Sequence, residues 1–122
     1  MVTIRQQITR ATVHTSRGLV AAAKTELAFR LEVAALALSI PLAFLLASEA
    51  WKRLALIAVV VLVLIVELLN TAIEKLSDHV TATQHPAIGR VKDMGSAAVG
   101  LTILLAGATW LLAFGEWLVA LL

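Results

Sequence analysis

Glu67, Asn70, Glu74 and Asp78 interrupt a run of residues that is otherwise apolar. At about 100° per residue, positions i, i+3, i+7 and i+11 of a helix lie on one face within about 80°, so the four form a polar stripe. An ionisable group within an apolar helix costs roughly 2 to 3.5 kcal/mol on insertion scales, so Glu67 is by default a candidate functional residue. Glu67 and Glu74 are two turns apart, about 10.5 Å along the axis, too far to share one ion directly. The spacing suits a division of labour in which the deeper carboxylate acts as a base and the shallower one holds a metal. The competing reading is a helix-packing seam, with Glu67 protonated and hydrogen-bonded and Glu74 at headgroup level. The cost of placing Glu67 there weighs against the seam.

A second group sits nearer the N-terminus. Glu26 and Arg30 stand at i and i+4, the spacing of an ordinary helix pair worth a few tenths of a kcal/mol. Glu32, at the edge of an apolar stretch, is harder to dismiss. Lys92 and Asp93 immediately precede another apolar run, either as interfacial anchors or with Lys92 facing a phosphate as a point charge. Gly95, Ser96, Ala97, Ala98 and Gly100 offer a small-residue surface for close helix packing, and Ser96 can also hydrogen-bond into a polar region. His14, His79 and His85 show no metal-ligand spacing and are expected in interfacial or loop roles. The chain has no cysteine, so any metal would be held by oxygen or histidine. No GxxxxGK[ST] or GxGxxG loop occurs, which argues against a soluble kinase fold.

The elements that carry these residues must lie in lipid. Of the 122 residues, 61% are hydrophobic and 15% charged, too apolar for one core with a solvated surface. Residues 1–25 mix Arg, Gln and Thr with spaced apolar residues and read as an amphipathic surface helix. A first span is expected at 28–48, where Pro41 permits a kink. Ser48, Glu49 and Ala50 make a tight connection. A second span, 51–80, starts at the Trp51, Lys52 and Arg53 anchor and extends into cytoplasm beyond its apolar part. The linker Thr81 to Gly89 carries Pro86 and Gly89 as breakers. A third span, 91–119, has Trp110 and Trp117 as belt residues. No secretory signal peptide is visible. Arg5, Arg10, Arg17, Lys24 and Arg30 on one side, with Lys75, Arg90 and Lys92 in the second loop, place the N-terminus and that loop inside and the C-terminus outside. The fold class is therefore all-α: three transmembrane helices plus an N-terminal surface helix.

Three blocks, ELAFRLE from Glu26 to Glu32, ELLNTAIEKLSD from Glu67 to Asp78 and KDMGSAAV from Lys92 to Val99, together resemble the small integral-membrane diacylglycerol kinases of bacteria. The similarity runs from about Ser16 to Val99 and keeps the spacing between blocks. It extends to the related undecaprenol kinases, although GRVKDMGSAAV favours the diacylglycerol branch. The resemblance implies a homotrimer in the bacterial inner membrane that binds MgATP at the cytoplasmic surface, with sites shared between protomers. It implies Glu67 as base, Asn70 as its polar support, and Glu26 and Glu74 as Mg2+ carboxylates. Lys92 matches the lysine on the transferred phosphate. Asp78, Asp93, Glu32 and Ser96 match other polar members of the site, Arg30 falls in its lipid-facing part, and His85 lies near the nucleotide. Gln7 stands where the family has an arginine, with Arg10 nearby to serve the phosphates, and Thr15 stands at an aromatic position.

Phosphoryl transfer asks for charge neutralisation and in-line placement, which carboxylates, Mg2+ and a lysine supply. A proton-coupled transporter would also place a carboxylate in a span, but would not need Glu26, Glu74 and Lys92 together. A structural subunit would leave Glu67 unexplained. The expected reaction is phosphorylation of diacylglycerol, or of another lipid alcohol such as undecaprenol, to its phosphate; no nucleic-acid partner is expected.

Overall fold

A computed structural model describes residues 1–81 and 83–122. The chain forms four helices: α1, Ile4–Thr25; α2, Leu27–Leu46; α3, Ala50–Val80; and α4, Pro86–Leu121. The last three are each long and apolar enough to cross a membrane.

Helix α1 begins with a capping box, in which the Gln6 backbone N–H donates to Thr3 Oγ1 at 3.2 Å and the Thr3 N–H donates to Gln6 Oε1 at 3.0 Å. The hydroxyls of Thr9, Thr12, Thr15 and Ser16 donate back to the carbonyls four residues earlier, so these residues are accommodated within helix despite modest propensity. A single extended residue, Glu26 (φ −116°, ψ 112°), closes α1 and opens α2. No glycine or proline marks this break. Instead, Arg30 reaches back and its Nη1 donates to the carbonyls of Ala23 at 2.9 Å and Lys24 at 3.4 Å. A cation on the exposed C-terminal carbonyls satisfies them and complements the helix dipole. The expected Glu26 to Arg30 pair is accordingly not made, because an intact helix through residue 26 was its premise.

Helix α2 runs through Pro41 without ending, as spans can when neighbours restore the freed backbone group. The connection to α3 is short, and α3 then turns back against α2. At the other end α3 and α4 form a long antiparallel hairpin, and α3 packs against both α2 and α4 while those two barely meet. Two apolar clusters hold the bundle. Ala22, Phe29 and Leu64, with Leu36 and Leu68 against them, join α1, α2 and α3. Ala43, Ala47 and Leu56, with Ile57, Trp110 and Ala113, join the opposite ends of α2, α3 and α4. The Trp110 indole donates to the Leu56 carbonyl at 3.1 Å, so this tryptophan points into the bundle rather than serving only as a belt residue. Its bulky ring fills the α3/α4 seam and its N–H finds a partner there.

The expected linker ends sooner than its composition suggested. Helix α4 starts at Pro86, with His85 as N-cap accepting from the Ala87 N–H at 3.1 Å. Proline at the first helical position loses no hydrogen bond and has its φ already set, so Pro86 starts a helix where it was expected to break one. Gly89 consequently lies inside α4. With 31 and 36 residues, α3 and α4 are about 46 and 54 Å long, well beyond a hydrocarbon core of about 30 Å. Both helices are therefore longer than a crossing requires.

Candidate active site

The stripe on α3 is real and graded. Glu67 and Glu74 are half-buried, Asn70 is buried and Asp78 is exposed. The Asn70 amide Nδ2 donates to Glu74 Oε1 at 3.4 Å, an i to i+4 contact along the face. On its other side Asn70 is pressed against α4. Gly95 is the one buried residue of α4 among those described, and a side-chain carbon there would collide with Asn70 Oδ1. Only glycine admits the amide at this crossing. Of the small residues expected to pack helices, Gly95 does so, while Ser96, Ala97, Ala98 and Gly100 face away from the rest of the chain.

Three other carboxylates converge on Glu67. Glu32 from α2 lies within its electrostatic reach, as do Glu74 from α3 and Glu26 from the α1/α2 break. Like charges gathered in an apolar bundle repel and lose solvation, an arrangement that is costly unless a cation or a proton relieves it. Two buried oxygens of this region, Glu32 Oε2 and Asn70 Oδ1, have no hydrogen-bond partner among the described residues. Unpaired buried acceptors are uncommon and call for an explanation such as a ligand or ion.

Cations stand at the margin. Lys75 Nζ lies 3.3 Å from Glu26 Oε1 and donates to Thr25 Oγ1 at 3.2 Å. Lys92 pairs with Asp78 at 2.5 Å, linking the two arms of the α3/α4 hairpin. Lys92 and His85 line one hollow beside the turn, together with Thr83, Gln84 and Ile88, so the two residues expected at the nucleotide phosphates share a surface. Asp93 and Ser96 are exposed on α4 and Arg10 on α1. Arg10 lies beside Thr3, Arg5, Gln6 and Thr9, among which there is no carboxylate. Arg30 is occupied by backbone carbonyls. Among the described residues no three histidine, aspartate or glutamate side chains gather as a closed metal-ligand set; a cation at Glu26 and Glu74 would complete its shell with oxygens from elsewhere.

Lys75 is the residue that sequence reading passed over. It reads as one more basic residue near the second loop, and its partners lie 50 residues away in the chain. The only local hint is its position directly after Glu74.

The chain is similar to known proteins over most of its length. The family model described as prokaryotic diacylglycerol kinase matches residues 13–114. A diacylglycerol kinase of Escherichia coli strain K12 is 44% identical over 104 residues, 85% of each chain. The diacylglycerol kinase of Pseudomonas aeruginosa is 43% identical over 105 residues, covering 86% of this chain and 85% of its relative. That of Haemophilus influenzae is 37% identical over 100 residues, 82% of this chain and 85% of its own length. Every carboxylate of the cluster falls inside the matched segment, whereas Arg10 falls outside it. The chain is thus a membrane enzyme that belongs to the prokaryotic diacylglycerol kinase family.

Proposed function

We propose that this enzyme transfers the γ-phosphate of ATP to diacylglycerol, giving phosphatidic acid, at the cytoplasmic face of the bacterial inner membrane. The observation that carries the reading is the convergence of Glu26, Glu32 and Glu74 on Glu67 within the segment shared with diacylglycerol kinases. In the transfer, the acceptor hydroxyl oxygen bonds to the γ-phosphorus as the bond from phosphorus to the β,γ-bridging oxygen breaks. ADP leaves, and the hydroxyl proton passes to a Glu67 oxygen. Asn70 supports this by holding Glu74 in place and fixing the spacing of α3 and α4.

The donor set suits Mg2+, which takes hard oxygen ligands and keeps part of its shell for phosphate. Glu26 and Glu74 would hold it, and when bound it would neutralise charge on the phosphates. Lys92 would leave Asp78 for the γ-phosphate, and His85, on the same hollow, would lie along the nucleotide. Glu32 and Arg30 would belong to the part of the site that takes the lipid substrate. Asp93, Ser96 and Arg10 would join the site through a neighbouring protomer, and their outward position in one chain supports a homotrimer with shared sites. The basic N-terminus and second loop support a cytoplasmic placement for both, with α1 on the membrane surface and the C-terminus periplasmic.

The test is phosphate transfer from MgATP by purified protein in mixed micelles, with diacylglycerol and undecaprenol offered together. Preferential formation of phosphatidic acid is expected, with activity abolished by chelation and restored by added Mg2+. Preferential formation of isoprenyl phosphate would move the enzyme to the other branch, and the absence of any transfer would refute the kinase reading.

A further inference from the structure

The phosphoryl transfer proposed above gives Lys75 no role. Adjacent helix residues point about 100° apart, so Glu74 turns toward Asn70 while Lys75 turns into the groove between α1 and α3, beside Leu68 and Ala72. Its ammonium group ends on Glu26 Oε1 and Thr25 Oγ1, at 3.3 and 3.2 Å, the two side chains that flank the break between α1 and α2. The Lys75 side chain is 56% exposed and that of Glu26 31%. A pair so exposed contributes little to stability and exchanges readily.

Charge is unevenly supplied here. Among the described residues, Lys75 is the only lysine or arginine ion-paired to any of Glu26, Glu32, Glu67 and Glu74. Lys92 rests on Asp78 and Arg30 on backbone carbonyls. A nucleoside triphosphate adds several further negative charges, which one dication and one lysine leave partly unbalanced. Mg2+ held by Glu26 and Glu74 would take its remaining oxygen ligands partly from the phosphates, which would bring them close to the Glu26 carboxylate. A lysine already in contact with that carboxylate therefore reaches the same phosphate by a rotamer change.

We infer that Lys75 is a second phosphate-binding cation, held on Glu26 while the site is empty and passed to a non-transferred phosphate of the nucleotide when Glu26 turns to the metal. This rests on the MgATP reading above. It predicts that Lys75 governs nucleotide affinity and not the lipid or the chemical step.

Binding of a non-hydrolysable MgATP analogue to the purified full-length protein in mixed micelles tests it, alongside steady-state kinetics. Lys75→Met is expected to weaken analogue binding about ten-fold, as loss of one charge-assisted hydrogen bond does, and to raise KM for MgATP to match. Both kcat and KM for diacylglycerol should stay within about two-fold. Lys75→Arg should keep most of the affinity. Lys52→Met, the same charge change at the far end of the bundle, should leave binding unaltered. Unchanged or tighter analogue binding by Lys75→Met, with less Mg2+ needed for half-saturation, would overturn the inference and leave Lys75 as a competitor for Glu26. If the unaltered protein failed to bind the analogue, the MgATP reading itself would fall, and the inference with it.

Discussion

The two ends of the helical bundle use nearly the same residue types to opposite effect. At the end formed by the α2/α3 turn and the close of α4, the charged side chains of Glu49, Lys52, Arg53 and Glu116 all have partners. Lys52 sits between Glu116 at 3.1 Å and Glu49 at 3.5 Å, and the Trp51 indole donates to Glu49 at 2.6 Å. Arg53 donates to the Ala47 carbonyl at 2.8 Å and lies over the Phe44 ring at 4.4 Å. At the other end, four carboxylates crowd together with one lysine ion-paired to the group, and two buried oxygens lack partners. One end is satisfied within the chain, and the other gathers like charges with fewer partners. Polar groups become a site when the fold brings them together without satisfying them, since a satisfied network resists any exchange of partners.

Substitutions should separate the ends. The largest effect is expected from Glu67→Gln, which removes the proposed proton acceptor while keeping shape: kcat should fall about 10²–10⁴-fold, with the helical circular dichroism signal and the size-exclusion profile unchanged. An activity close to that of the unaltered enzyme would mean that Glu67 is not the base. Gly95→Ala forces a methyl group against Asn70 and should destabilise by about 1–3 kcal/mol, read as a lower thermal midpoint in detergent, with activity reduced as Asn70 and Glu74 shift. Gly100→Ala on the same helix meets open space within the chain and gains helix propensity, so equal losses from both would show that contacts outside this chain, not Asn70, set the cost. Trp110→Phe removes the indole donor from the Leu56 carbonyl and should cost about 1 kcal/mol, leaving kcat and KM alone. Smallest of all, Glu116→Gln breaks an exposed pair and should move neither the thermal midpoint nor the activity, since such pairs stabilise little. A large loss of activity there would dissolve the distinction between a finished end and a working one.

Much of the working end was legible because it is local. Helical periodicity alone puts Glu67, Asn70, Glu74 and Asp78 on one face, and the Asn70 to Glu74 hydrogen bond follows from i, i+4 spacing. The three apolar helices follow from length and composition. What escaped is tertiary or depends on a single backbone angle. Lys75 finds Glu26 only because α3 returns beside the α1/α2 break. Arg30 was read against its helix neighbour Glu26, but the break turns it to the carbonyls of Ala23 and Lys24. Pro86 and Gly89 read as breakers by type, yet His85 caps the helix and places Pro86 where proline fits. Among the small residues near Gly95, type cannot say which one faces α3; the rotation of α4 decides it.

Glu26 occupies the only non-helical position between two long helices. It is at once the last anchor of α1 and the first of α2, so the joint has one residue of slack. The tilt of α1 and the backbone position from which that carboxylate extends are therefore linked. Whatever α1 lies against, a rocking of this lever of 22 residues, about 33 Å long, is transmitted to Glu26 at its fulcrum, and the environment along the lever is mechanically continuous with the place where charge is gathered.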